Sequence, residues 1–297
     1  MKEKLNWNIV FIGVLVVLIG IFTFVEFPLA EVIYNPESGF GRFFEIIGTL
    51  PLPIVGLFST VSLIMTAERR FCPKTILSYV LGIICYSLFF MYGVKCIAHQ
   101  VPAFEKPMMF LSLLWTVACV FLVYRVIKKG KLQELRRASI IGVAGCLAAS
   151  VLIGMIKSFF ARPRYYTYAG EPEKFSYWFE VHPANKLNDG FPSGHSGQAA
   201  VSLFTILLSS FLEVKNVEKF DRVMTVLSIG FTICVMVSRM ILGMHFATDV
   251  IMGAALPLIA MKLTKTVLDK VSETQEEYMI GEPDQKAYQN YHSRDVM

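Results

Sequence analysis

Two histidines, one carboxylate, one serine and three cations draw attention first, because each borders a stretch of chain that is otherwise apolar. Lys157 is followed seven residues later by Arg164. Pro192-Ser193-Gly194-His195 forms a second group, and Ser238-Arg239, His245 and Asp249 form a third. Polar residues that interrupt an apolar pattern of membrane length are functional candidates by default. The chemistry this set suits is that of phosphate. Lys157, Arg164 and Arg239 can neutralise a doubly charged group, the two arginines bidentately. Ser193 and Gly194 would present a hydroxyl and free backbone N–H groups at a helix start, a natural anion site. Gly194 also lets the backbone approach closely. Electrostatic stabilisation of equatorial oxygens is the main task in phosphoryl transfer.

The two histidines divide the remaining work. His245 and Asp249 are four residues apart, so on a helix their side chains share a face. Asp249 would accept a hydrogen bond from one ring nitrogen, fixing the tautomer so that the other nitrogen attacks phosphorus. His195, in a setting lined by cations, would be the acid that protonates the leaving oxygen. Each residue alone has a plainer reading. Lys157 and Arg239 would snorkel to the headgroups, Ser193 would be an N-cap, and a histidine at an interface would be a satisfied polar group. The joint arrangement is what argues for chemistry.

The elements that must position these residues are membrane spans. The chain has 297 residues, 55% hydrophobic and 17% charged, which departs from a soluble composition of about 25% charge in the membrane direction. A net charge of +5 does not imply nucleic acid, because the charges punctuate apolar runs instead of forming one basic face. Spanning a ~30 Å hydrocarbon core takes about 20 mostly apolar residues. Eight such runs lie near 8–27, 48–66, 75–97, 107–127, 138–157, 195–212, 223–241 and 247–266. Pro51 and Pro53 would bend or delay the second. The expected fold class is all-α, a polytopic membrane helical bundle, since a spanning segment must satisfy its backbone hydrogen bonds internally.

The three groups then fall at the exit of the fifth run, the entry to the sixth, the exit of the seventh and the entry to the eighth. All four ends lie at one membrane surface, whichever way the protein is inserted. The first run is longer than a ~7–15-residue signal-peptide core and has no clear small-residue cleavage site, so it is read as a retained helix. Lysine and arginine bias puts both termini in the cytoplasm and the site on the outer face, with thirteen basic residues in the inner loops against six outside. The loop from Ser158 to Gly194 is dense in aromatics, among them Tyr165, Tyr166, Tyr168, Tyr177, Trp178 and Phe179. An interfacial belt and a substrate-contacting lid are both open readings of it. Residues 269–297 turn polar and read as a disordered cytoplasmic tail. The six cysteines, Cys72, Cys85, Cys96, Cys119, Cys146 and Cys234, lie in or beside apolar runs and read as packing residues with no disulfide framework.

The residues now resemble the type 2 phosphatidic acid phosphatase family, related to the acid phosphatases and vanadium haloperoxidases. The family pattern is Lys, six residues, Arg-Pro; then Pro-Ser-Gly-His; then Ser-Arg, five residues, His, three residues, Asp. The second and third patterns are complete at 192–195 and 238–249. The first runs from Lys157 to Arg164, with Tyr165 in place of proline, while an Arg-Pro stands two residues earlier at Arg162-Pro163. Spacing favours Arg164 as the phosphate ligand over Arg162. The resemblance implies His245 as nucleophile through a phosphohistidine, Asp249 as its partner and His195 as acid. It implies phosphate binding by Lys157, Arg164, Ser193, Gly194 and Arg239, with no metal and no cofactor.

The resulting division is a membrane region of about four spans over 1–137, a phosphatase core over 138–268, and the tail. The expected function is lipid phosphate or diphosphate hydrolysis at the outer leaflet of the cell membrane, with undecaprenyl diphosphate, phosphatidylglycerol phosphate and phosphatidic acid as candidate substrates. The alternatives are a lipid phosphotransferase using the same site and a non-catalytic anion-binding membrane protein. The expected partners are a lipid phosphate and the membrane, without nucleic acid.

Overall fold

A computed structural model describes residues 7–68, 72–98, 101–182 and 188–281. Its described residues form helices joined by turns and short 3₁₀ segments, so the all-α expectation holds. The helices are α1 (Trp7–Ile33), α2 (Gly39–Ile47), α3 (Pro51–Met65), α4 (Pro73–Ala98) and α5 (Glu105–Lys128), followed by α6 (Leu132–Phe160), α7 (Gly194–Ala200), α8 (Val217–Ile241) and α9 (Ala247–Gly281). Among the described residues seven segments are long and apolar enough to cross a membrane. Ile9, Val16, Phe24, Val117 and Phe121 turn outward and stay exposed, an arrangement that suits hydrocarbon and not water. The protein is a multi-pass membrane protein.

The sixth expected run is the exception among the eight. It begins as α7, seven residues long, and continues as a ten-residue 3₁₀ segment, Val201–Ser210. With the greater rise of a 3₁₀ turn these residues extend over about 30 Å. The second run is preceded by a helix that spacing alone did not suggest. Ser38 caps α2, its hydroxyl accepting from the Gly41 N–H at 3.1 Å. Pro51 then opens α3 at a position where the missing N–H costs nothing.

Helix α3 is the hub, packing against α4, α5 and α6. Small residues permit the close approach. A Cβ at Gly56 would run into the Phe89 ring, and one at Gly142 into Ser59, as expected where helix association rests on tight van der Waals fit. Leu52, Leu57, Phe89, Cys146, Val201 and Phe204 form one core cluster. Cys119 and Cys146 are fully buried and all six cysteines are free thiols.

Residues up to Met261 form one compact unit, and those from Lys262 onward a second. Helix α9 continues to Gly281, and no glycine or proline between 269 and 280 interrupts it. The rest of the expected tail, 282–297, lies outside the described residues, as do Lys2, Lys4, Arg69, Arg70 and Lys186 of the charge-bias argument.

Candidate active site

Four helix ends bring the three sequence groups together. Helix α6 delivers Lys157 and stops at Ala161, whose left-handed backbone (φ 46°) lets its N–H close on the Lys157 carbonyl at 2.9 Å. The chain then turns so that Arg162 and Arg164 leave in different directions. Between α8 and α9, Gly243 takes φ 66°, and a side chain there would strike the Tyr34 ring. This turn presents His245 after Arg239 has ended α8. The Ser193 N–H binds the Asp249 carbonyl at 2.9 Å, tying the start of α7 to the first turn of α9. At Gly253 a Cβ would overlap the Ser193 backbone, so that contact is possible only with glycine.

The result is a cavity of about 450 Å³ with Lys157, Arg164, Gly194, His195, Arg239 and His245 in its wall. Six of the eight expected site residues therefore meet there. The other two, Ser193 and Asp249, stand directly behind the wall and are fully buried. The Ser193 hydroxyl accepts from the Ser196 N–H at 3.3 Å and from the Ser196 hydroxyl at 3.0 Å. It caps α7 and orients the first N–H groups of that helix, which have no intrahelical partner.

His245 is held differently from the sequence expectation. Its Nδ1 lies 2.6 Å from the Gly190 carbonyl oxygen but 3.6 Å from Asp249 Oδ2. A carbonyl only accepts, so Nδ1 carries the proton, and Nε2 keeps its lone pair. Asp249 is instead engaged by others. Its Oδ1 accepts from Arg162 Nη1 at 2.6 Å and its Oδ2 from the Phe246 N–H at 2.8 Å. The carboxylate thus acts on His245 as a nearby charge while the loop carbonyl sets the tautomer. Burial, reinforced by Lys157 and Arg164, holds the His245 imidazolium pKa well below its ordinary value, at about 3, against the opposing pull of Asp249.

The two candidate arginines separate cleanly. Arg162 is fully buried behind the site. Its Nε and Nη2 donate to the Ser176 carbonyl at 3.0 and 2.7 Å, its Nη1 to Asp249 and Thr248, and its Nη2 to Glu26 at 2.6 Å. Its guanidinium carbon sits 4.3 Å from the centroid of the Phe246 ring. Arg164 instead faces the cavity, where it pairs with Asp189 at 2.6 Å and reaches Met244 Sδ at 3.5 Å. The aromatic loop divides in the same way. Tyr165 and Tyr168 are buried with Phe246 around Arg162, while Tyr166, Tyr177 and Phe179 stay exposed.

Several residues here had not been expected. Asp189 bridges Arg164 and Lys157, accepting from Lys157 through its backbone carbonyl and standing 3.9 Å away through its carboxylate. Glu45 of α2 binds Arg239 Nη1 at 2.8 Å. Thr49, Tyr92, Lys95 and Cys96 complete the wall, so the N-terminal helices build one side of the cavity. Glu26 and Glu45 did carry a signal, since each is a lone carboxylate inside an apolar stretch. Asp189 carried none beyond its place four residues before Ser193.

Four cations and two carboxylates line the cavity, leaving it net positive. Three of its buried nitrogens, Arg164 Nε, Arg239 Nε and His195 Nε2, have no hydrogen-bond partner among the described residues. Two of the three belong to guanidinium groups, so the cavity offers charged donors to an anion. Among the described residues no three His, Cys, Asp or Glu side chains gather as metal ligands. No curated protein and no solved structure matches the chain. Residues 139–272 match the model of the PAP2 superfamily, the stretch that carries all three motifs.

Proposed function

We propose that the protein is a lipid phosphatase that works through a phosphohistidine at His245. The observation that carries this reading is the convergence of three unpartnered nitrogens on a cationic cavity that also holds a histidine with a fixed tautomer and a free Nε2. Lys157, Arg164, Arg239 and the N–H groups at Gly194 take the phosphate oxygens. His245 Nε2 attacks phosphorus, forming the P–N bond as the P–O bond to the leaving group breaks. His195 gives its proton to the departing oxygen. It then takes a proton from water, which attacks phosphorus, releases inorganic phosphate and restores His245. The charges that stabilise the transition state all come from side chains and backbone N–H groups.

The substrate is a phosphate or diphosphate on a lipid, because the cationic cavity lies in a multi-pass membrane protein, with residues of α2, α4, α6 and α8 in its wall. Undecaprenyl diphosphate, phosphatidylglycerol phosphate and phosphatidic acid are the candidates. Charge bias supports cytoplasmic termini and a site on the outer face.

The test is phosphate release by purified protein in detergent, on those three lipids, with EDTA present and His245→Ala alongside. The expected result is release by wild type alone, with an acid-labile phosphoryl group trapped on wild type and absent from the variant. Release by His245→Ala at the wild-type rate would remove His245 as nucleophile. A wild-type rate that collapses in EDTA and returns with one divalent ion would replace this mechanism with metal chemistry.

A further inference from the structure

The geometry points to Glu26, on α1 and outside the family-matched segment, as a positioning residue that neutralises Arg162 and so leaves the Asp249 charge to serve His245. The inference rests on the proposed role of His245 as nucleophile.

Glu26 is 1% exposed, although it lies in the first span among apolar neighbours. Both of its oxygens are engaged. Oε1 accepts from Arg162 Nη2 at 2.6 Å, while Oε2 accepts from the Thr248 N–H at 3.1 Å and the Thr248 hydroxyl at 2.5 Å. The same Thr248 hydroxyl accepts from Arg162 Nη1 at 3.1 Å. Glu26 is not part of the cavity wall, so it cannot touch substrate. It is joined to the site through Arg162 and Thr248, and through Thr248 to the residue beside it, Asp249.

The charges explain why a second carboxylate is there. Arg162 and Asp249 alone form a neutral pair, and a neutral pair exerts little pull on a third group. With Glu26 present the buried cluster holds one guanidinium and two carboxylates, and a net negative charge remains beside His245. His245 needs that charge at one moment in particular. When Nε2 bonds to phosphorus with Nδ1 still protonated, the ring becomes cationic. Asp249 Oδ2 stands 3.6 Å from Nδ1, close enough to stabilise the cation in a site of low dielectric. Substrate binding involves no such charge on the ring. The effect therefore belongs to turnover and not to affinity.

Two substitutions separate this role from one of packing. Glu26→Gln keeps the shape and most hydrogen bonds but removes the charge. Glu26→Asp keeps the charge but is one methylene short. Glu26→Gln should lower kcat about tenfold or more, with KM and inhibition by inorganic phosphate held within about twofold. Glu26→Asp should retain more kcat than Glu26→Gln. The reverse order, an unchanged kcat in Glu26→Gln, or KM and phosphate inhibition weakening in step with kcat would each overturn the inference. Should Glu26→Gln fail to fold, Thr248→Val removes one Glu26 partner without altering charge. It should lower kcat about threefold at constant KM, and wild-type kcat there would equally overturn it. Wild type runs alongside on all three lipids. A wild type that releases no phosphate sinks the phosphatase reading and the inference with it, whereas an active wild type confines any failure to Glu26.

Discussion

Arg162 and Arg164 are two residues apart and carry the same group, yet their replacement should damage different properties. Arg162 is buried between two buried carboxylates, and all five of its N–H donors are spent on Glu26, Asp249, Thr248 and the Ser176 carbonyl. Arg162→Gln strands two carboxylates at once. Breaking a buried pair in this way costs about 3–5 kcal/mol, a large part of the ~5–15 kcal/mol that holds a typical fold. Arg164 pairs with Asp189, a half-exposed carboxylate, so Arg164→Gln should cost no more than about 1 kcal/mol of stability. Its loss falls on substrate instead. A charge-assisted hydrogen bond to phosphate is worth roughly 1.5–3 kcal/mol, which translates to a drop of about 10- to 150-fold in kcat/KM. Thermal unfolding of each purified variant in detergent gives the first quantity, and phosphate release per folded molecule gives the second. An Arg162→Gln variant that melts like wild type, or an Arg164→Gln variant that loses stability while its folded fraction turns over normally, would refute the division of labour.

Two further outcomes follow from the same site. The depressed His245 pKa of about 3 means that between pH 3 and 6.5 the unfolded chain binds a proton that the folded protein refuses. Stability therefore falls as pH drops through that window, by about 2 kcal/mol between pH 7 and 5. A His245→Asn variant, followed by unfolding at both pH values, should lose that dependence; a slope equal to that of wild type would assign it elsewhere. Gly253→Ala should drive a methyl group into the Ser193 backbone. It should cost about 1–3 kcal/mol together with most of the activity, measured by melting and by phosphate release, and a wild-type profile would mean that the two backbones are not in contact.

The three motifs were legible because each sits at a helix end, where a polar residue against an apolar run is conspicuous and spacing alone fixes the membrane face. Their partners were less so. Asp249 was expected to bond to His245, but its helix geometry turns one oxygen to the Phe246 N–H and the other to Arg162. The bond to His245 falls to the Gly190 carbonyl, and a backbone carbonyl in a loop leaves no trace in residue type. The arginine ambiguity could not be settled by counting, because the left-handed turn at Ala161 decides which side chain goes in and which faces the cavity. Glu26 lies inside a run read only for its apolar content, and Glu45 between the first two runs. Helix α9 runs into the polar segment after residue 268, since a polar sequence without helix breakers also forms helix.

The cluster around Arg162 imposes an order of events on biosynthesis. Glu26 is made 136 residues before the arginine that answers it, and at about 5–20 residues per second the wait is on the order of ten seconds. During that interval the Glu26 carboxylate is without the counterion that the loop after α6 supplies. Only when the loop after α6 has emerged and folded back does the first span find its partner. The cluster thus ties the first span to the loop after α6: a chain that stalls before Arg162 holds a carboxylate whose partner has not yet been made.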